Sequence, residues 1–341
     1  MVKINNFLAI AIVCWGLSGA NVAFGQEIDT VLATVKNSLQ ATLPHNKKAL
    51  TNFEQGANLY KKGDLKGAEA AFRQAIAIEP KFVEAYVALG NTLDDGGKQQ
   101  EAIAQYQKAI SIDPKFAKAH FFLGNAFYVQ GKFSEAIAEY KQAINFNPQD
   151  AAAHYYLGNA FYAQGKSAEA MAEYTTAIRL EPKNAASYNA LGNALYAEGK
   201  LEEAIAQYQQ AISIDPQDAD AHYNLASAFY AQGKLDQAIA DYTEAIRLDP
   251  KHAQAYTGLA NAMDDGGKPQ EAIAHYKKAI SLLPDYAYAY YNLGITLGRE
   301  QQTQEAIANF KKARELFQAE ENNEMVEQID GLIKKIEGSG E

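Results

Sequence analysis

Five asparagines, Asn91, Asn125, Asn159, Asn193 and Asn261, stand 34 residues apart or at a multiple of that spacing. An amide carries a donor and an acceptor together, so a row of them on one wall can pair with the main chain of an extended polypeptide whatever its side chains. The same row can instead bridge neighbouring helices within the protein. Tyr128, Tyr162, Tyr196 and Tyr230 keep the same spacing, and Tyr155 and Tyr223 precede two of them by seven residues. An exposed phenol offers a large apolar ring, little rotamer entropy and a polar tip, which makes it good binding surface. Asp94-Asp95-Gly96-Gly97-Lys98 recurs 170 residues later as Asp264-Asp265-Gly266-Gly267-Lys268. Two such acidic patches select a basic or amine-bearing partner, or they are solvated carboxylates in a duplicated segment. Calcium fits them less well, because the run lacks the alternating oxygen ligands and distant glutamate of a helix-loop-helix calcium site.

Catalytic chemistry finds no foothold. His120, His154 and His222 occupy equivalent places on different units, whereas a metal needs imidazoles that converge on one point. No P-loop or GxGxxG occurs, and no strand pattern on which either works. The single cysteine, Cys14, excludes disulfides and Cys-ligated zinc, and it lies in a segment read below as removed, which leaves no thiol nucleophile. A formal charge of −10 with no basic stripe excludes nucleic acid as partner. The expectation is a protein that is not an enzyme and holds no cofactor or metal.

The elements that position these residues follow one ruler. Pro80, Pro114, Pro148, Pro182, Pro216, Pro250 and Pro284 fall every 34 residues, so internal repetition decides the fold. With proline at position 32 of each unit, position 8 is small from Gly56 to Gly294, positions 20 and 27 are alanine throughout, and position 24 is Phe or Tyr. Each unit reads as two short helices broken by a glycine such as Gly165, which can take the positive φ that ends a helix. Small residues let the helices approach closely, the aromatic fills the wedge between them, and proline stops the second helix.

These columns resemble the tetratricopeptide repeat, over eight units that cover residues 49–320, about four fifths of the chain. The resemblance implies an all-α fold, a right-handed superhelical solenoid of eight 34-residue helix-turn-helix units. It also implies that the first helices line the concave side, with ligand contacts from positions 2, 5, 9, 12 and 13. The asparagines are position 9, Tyr128 to Tyr230 with Asp94 and Asp264 position 12, and Tyr155 and Tyr223 position 5. The asparagine row is similar to the ladder in the repeat domain of O-linked N-acetylglucosamine transferases, although no transferase domain fits in this chain. Family members that clamp a chaperone's C-terminal carboxylate use cations at positions 2, 5 and 6. Here position 6 of the last six units has none and Lys118 stands alone at position 2, so that ligand is not expected.

The ends differ. Residues 1–25 read as a secretory signal, with Lys3, an apolar stretch from Phe7 to Leu17 and cleavage either before Gln26 or after Ser18-Gly19-Ala20; an uncleaved membrane anchor is the alternative. Residues 26–48 hold an amphipathic helix that can cap the first repeat, enter a neighbour's groove or pair two copies in a homo-oligomer. Residues 321–341 carry apolar residues from Met325 to Ile336 at helical spacing, read as a C-terminal capping helix and tail. An exported location follows: secreted, or periplasm or thylakoid lumen given that the repeat wording is similar to that of cyanobacterial repeat proteins. The expected function is a non-catalytic scaffold that holds an extended protein segment, one of basic character, in its groove. The alternatives are an assembly factor acting through its outer surface or N-terminal helix, and a non-catalytic subunit of a glycosyltransferase.

Overall fold

The structure, a computed structural model, describes residues 44–338; the signal segment and most of the N-terminal amphipathic stretch lie outside it. All of the regular structure among the described residues is helical, and none of these helices is long and apolar enough to cross a membrane. The chain divides into two compact bodies between Pro182 and Lys183.

The first body contains four hairpins, α1 (Pro44–Lys61) with α2 (Leu65–Ile78), α3 (Val83–Asp95) with α4 (Gln99–Ile112), α5 (Ala117–Val129) with α6 (Phe133–Phe146), and α7 (Ala151–Ala163) with α8 (Ser167–Leu180). The second holds α9 (Ala185–Ala197) with α10 (Leu201–Ile214), α11 (Ala219–Ala231) with α12 (Leu235–Leu248), α13 (Ala253–Asp265) with α14 (Pro269–Leu282), α15 (Ala287–Arg299) with α16 (Thr303–Ala319), and finally α17 (Asn323–Gly338). The leading helix α1 starts at Pro44, so residues 44–48 extend the first repeat's helix to 18 residues, against 13 for the later first helices.

Glycine at position 15 closes each of the first seven hairpins with φ between +72° and +77°. Gln301 takes over that role in the eighth at φ +60°, a conformation that strains any residue with a Cβ. Within a hairpin the position 24 ring rests on the small residue at position 8. A Cβ placed on Gly158 would lie 2.6 Å from Tyr174 Cε1. The alanines at positions 20 and 27, such as Ala170 and Ala204, are fully or almost fully buried. Position 4 braces the turn into several repeats: the Tyr86 hydroxyl donates to the Pro80 carbonyl at 3.3 Å, and His120 Nε2 lies 3.0 Å from that of Pro114.

In each body, first helices of successive repeats touch one another directly, while second helices of successive repeats are held apart by the first helix between them. First helices therefore line the tighter side of each run, and positions 2, 5, 9, 12 and 13 are carried there. At the C-terminal end α17 lays Met325 and Ile329, both buried, against Leu297 and Phe317 and covers the last hairpin. This is the expected cap, pinned further by Arg314, whose Nε and Nη2 donate to the two Asp330 oxygens at 2.6 and 3.1 Å.

Candidate functional site

The asparagine row turns inward. Asn91, Asn125, Asn159 and Asn193 are all buried, and Asn261 is partly so. Each Oδ1 accepts the hydroxyl of the position 24 tyrosine in its own hairpin: Tyr106 at 2.6 Å, Tyr140 at 2.7, Tyr174 at 2.8, Tyr208 at 2.8 and Tyr276 at 2.7. The reason is physical. A phenol fully enclosed between two helices needs an acceptor, and position 9 is the nearest place for one. The expectation of five amides open to a guest is corrected accordingly. The pairing was legible in the sequence: where position 24 is Phe72 or Phe310, position 9 is Ala57 or Ile295, and opposite Tyr242 stands Ser227, whose oxygen lies 3.0 Å from the phenol.

The position 12 phenols behave according to the residue at position 13 of the next repeat. Tyr60 donates to Asp95 Oδ2, and Tyr230 donates to Asp265 Oδ2 at 2.6 Å, each bond tying two repeats. Tyr128 and Tyr196 meet alanine there, Ala163 and Ala231. No described residue bonds the hydroxyls of Tyr128, Tyr162 or Tyr196, and none of these oxygens is buried, so they open to solvent from rings that are largely covered. Burial raises all three phenols above the usual tyrosine value, Tyr128 the most clearly, which keeps them protonated donors. Tyr155 and Tyr223 are half-buried against their own hairpins, 6.0 Å from the Tyr174 ring and 5.8 Å from that of Tyr242. Burial pushes Tyr223 up to about 12.

The two acidic motifs diverge despite identical wording. Asp264 accepts from Thr296 Oγ1 at 2.7 Å and from the Arg299 guanidinium, both on α15 of the following repeat. The counterparts that follow Asp94 are Ala126 and Val129. Asp94 thus has no hydrogen-bond donor or cation among the described residues, and burial, followed by the neighbouring Asp95 charge, raises its carboxyl above the ordinary range. Burial also raises Asp95, against the pull of the Tyr60 hydroxyl.

The histidines are braces. His120 Nδ1 lies 2.7 Å from Glu139 and His154 Nδ1 2.6 Å from Glu173, each pair within one hairpin. Among the described residues no three His, Cys, Asp or Glu side chains gather as a metal site.

Family models described as TPR repeat match residues 56–94, 91–131, 124–165, 158–199 and 192–233, and models described as tetratricopeptide repeat match 223–287 and 275–308. These matches span well over half of the sequence, and the chain belongs to the tetratricopeptide repeat family. Among solved structures it is similar to a tetratricopeptide repeat protein from Parabacteroides merdae, with 20% identity, TM-score 0.57, and coverage of 74% of this chain and 99% of that one. It is also similar to the Cut9–Hcn1 hetero-tetramer of the APC/C, with 17% identity, TM-score 0.61 and coverage of 88% and 58%. YrrB, described as a TPR protein with an unusual peptide-binding site, aligns with 26% identity and TM-score 0.48 over 55% of this chain and 97% of its own. No curated protein matches. The family and the helical-hairpin fold are those of an interaction scaffold, and no enzyme family is indicated.

Proposed function

We propose that the protein binds an extended segment of another polypeptide on the inner face that the first helices form within the first body, without catalysing a reaction. The observation that carries this reading is the pair of position 12 phenols on the first body, Tyr128 and Tyr162, whose hydroxyls no described residue engages. A hydroxyl on a covered ring is a fixed donor, and a guest's main-chain carbonyls are acceptors of any sequence. Phenols at position 12 therefore take the part that the position 9 amides cannot. An exported location belongs to the same reading and rests on the signal-like residues 1–25.

The test is peptide selection on the full chain from a random library, followed by anisotropy titration of the selected peptides. Replacing Tyr128 and Tyr162 together by Phe keeps the rings and removes the two donors. At about 0.5–1.5 kcal/mol per hydrogen bond, affinity falls by about fivefold or more while helicity and melting stay unchanged. Unchanged affinity of the Phe variant overturns the reading.

A further inference from the structure

We infer that His120 and His154 are proton-operated braces of the first body. Each ring, while doubly protonated, ties the proline turn before its repeat to both helices of its own hairpin, and one tie opens when a proton leaves. No guest is needed for this, although the helices concerned, α5 and α7, are the two that carry Tyr128 and Tyr162.

The geometry sets the proton count. His120 Nδ1 lies 2.7 Å from Glu139 Oε2, and its Nε2 lies 3.0 Å from the Pro114 carbonyl oxygen. His154 repeats this at 2.6 Å from Glu173 Oε2 and 3.3 Å from the Pro148 carbonyl. A carbonyl and an ionised carboxylate only accept, while a neutral imidazole has a single N–H to donate. Both contacts therefore close together only on the imidazolium, whose bond to a carboxylate is charge-assisted. Removing one proton sets a ring nitrogen's lone pair against an oxygen's, and that contact has to open. The charged groups on the elements around His120 are Lys108 on α4, Asp113 and Lys115 in the turn, Lys118 on α5, and Glu139 and Lys141 on α6; only Glu139 comes within ion-pair distance. Those around His154 are Glu139 and Lys141 on α6, Asp150 before α7, Glu173 and Arg179 on α8, and Glu181 after it; only Glu173 is that close.

The sequence carries the same pairing. Position 4 is histidine in three repeats, and position 23 of those repeats is Glu139, Glu173 or Asp241. Where position 4 is Tyr86, Tyr188, Tyr256 or Tyr290, position 23 is Gln105, Gln207, His275 or Asn309, never an acid. A phenol serves the turn alone, as Tyr86 and Tyr290 do on the Pro80 and Pro284 carbonyls at 3.3 and 3.2 Å, and asks nothing of position 23. An imidazole that only donated to the turn would ask nothing of it either. The acid thus accompanies the ring with a second N–H to place. His222, in the second body, has only its Nδ1 bond among the described residues, 3.0 Å from Asp241 Oδ1, for which one ring proton suffices.

Long-range proton–nitrogen NMR correlation on the nitrogen-15-labelled full chain reads the ring protons directly, with His120→Tyr and His154→Tyr assigning the signals. An imidazole without a partner is mostly singly protonated at pH 7, given its ordinary value of about 6.5. At pH 7 both nitrogens of His120 and His154 are protonated, whereas His275, where burial disfavours the charged ring, carries one proton. Glu139→Gln returns His120 to one proton at pH 7 and leaves His154 as it was. Stability is read on a chain with His120→Tyr, Glu139→Gln, His154→Tyr and Glu173→Gln, which places the Tyr86–Gln105 combination of the second repeat in the third and fourth. A proton held more firmly by the folded state stabilises it in acid, and that gain is lost as pH rises. Between pH 6 and 8 the melting temperature of the native chain therefore falls by about 3–6 °C more than that of the fourfold variant. If the fourfold variant loses helicity, the NMR comparison of the native and Glu139→Gln chains decides alone. A single ring proton on either histidine of the native chain at pH 7 overturns the inference, as does a His120 proton count that ignores Glu139→Gln, or an equal fall in melting temperature for two folded chains.

Discussion

Changing Asp264 to Asn should destabilise the protein, and changing Asp94 to Asn should stabilise it, although both substitutions delete one charge at the same place in a repeat. Asp264 loses its charged partnership with Arg299, while the amide oxygen that replaces it can still accept from Thr296 at the observed 2.7 Å. Hydrogen bonds to charged groups contribute about 1.5–3 kcal/mol. Arg299 is 54% exposed, and that screening reduces the loss to about 1 kcal/mol, or a fall of about 2–4 °C in the melting temperature of the second body. Asp94 has no partner to lose. Its carboxyl titrates above the ordinary range because the folded state disfavours the charge, so below about pH 4 the fold suffers no penalty, and the penalty grows as pH rises through the raised folded value. The gain from Asp94→Asn is therefore smallest near pH 4 and full at neutral pH. Differential scanning calorimetry of the two variants and the native chain from pH 4 to 8 reads both signs. A Val129→Arg chain should lose the Asp94→Asn gain. Equal melting shifts for the two variants, or a stabilisation by Asp94→Asn that shrinks toward neutral pH, would refute the reasoning.

Three further outcomes follow from the packing. Gln301→Gly relieves the positive φ at the eighth hairpin and raises stability by about 1 kcal/mol, measured by urea titration; a decrease would show that the Gln301 side chain matters more than its backbone. Asn159→Ala strands the enclosed Tyr174 hydroxyl and costs about 1–3 kcal/mol, and Tyr174→Phe in the same chain recovers part of it, a double-mutant cycle that fails if the two residues are independent. Ile329→Ala, at a fully buried position of α17, costs about 2–5 kcal/mol and should speed amide hydrogen exchange in α15 and α16 while leaving α1 to α8 unchanged.

The hairpins were readable because their determinants are local and repeated. A proline at each unit's end, a glycine at each tight turn and alanines where helices touch each act within a few residues. Spacing alone leaves the direction of Asn91 to Asn261 open, because position 9 lies between the inner face and the hairpin interior, and its partner stands 15 residues away on the other helix. The matched alternation of Asn with Tyr and of Ala or Ile with Phe carried that information all along. The unequal fates of Asp94 and Asp264 needed a comparison 35 residues ahead, between Val129 and Arg299, and the identical wording of the two motifs masked it. Half-burial of Tyr155 and Tyr223 depends on ring contacts that spacing alone leaves open.

The amide–phenol pairs sit wholly inside single hairpins, and this bears on how such a gene can change. An unequal crossover that adds or drops one 34-residue unit breaks none of the bonds from Asn91, Asn125 or Asn159 to Tyr106, Tyr140 or Tyr174, since both partners travel together. What such an event does scramble is the hand-off between units, where Tyr60 meets Asp95 or Asp264 meets Arg299. Lineages can thus lengthen or shorten the array at little cost to the hairpins while each junction they create or lose changes which carboxylates and phenols are paired between units.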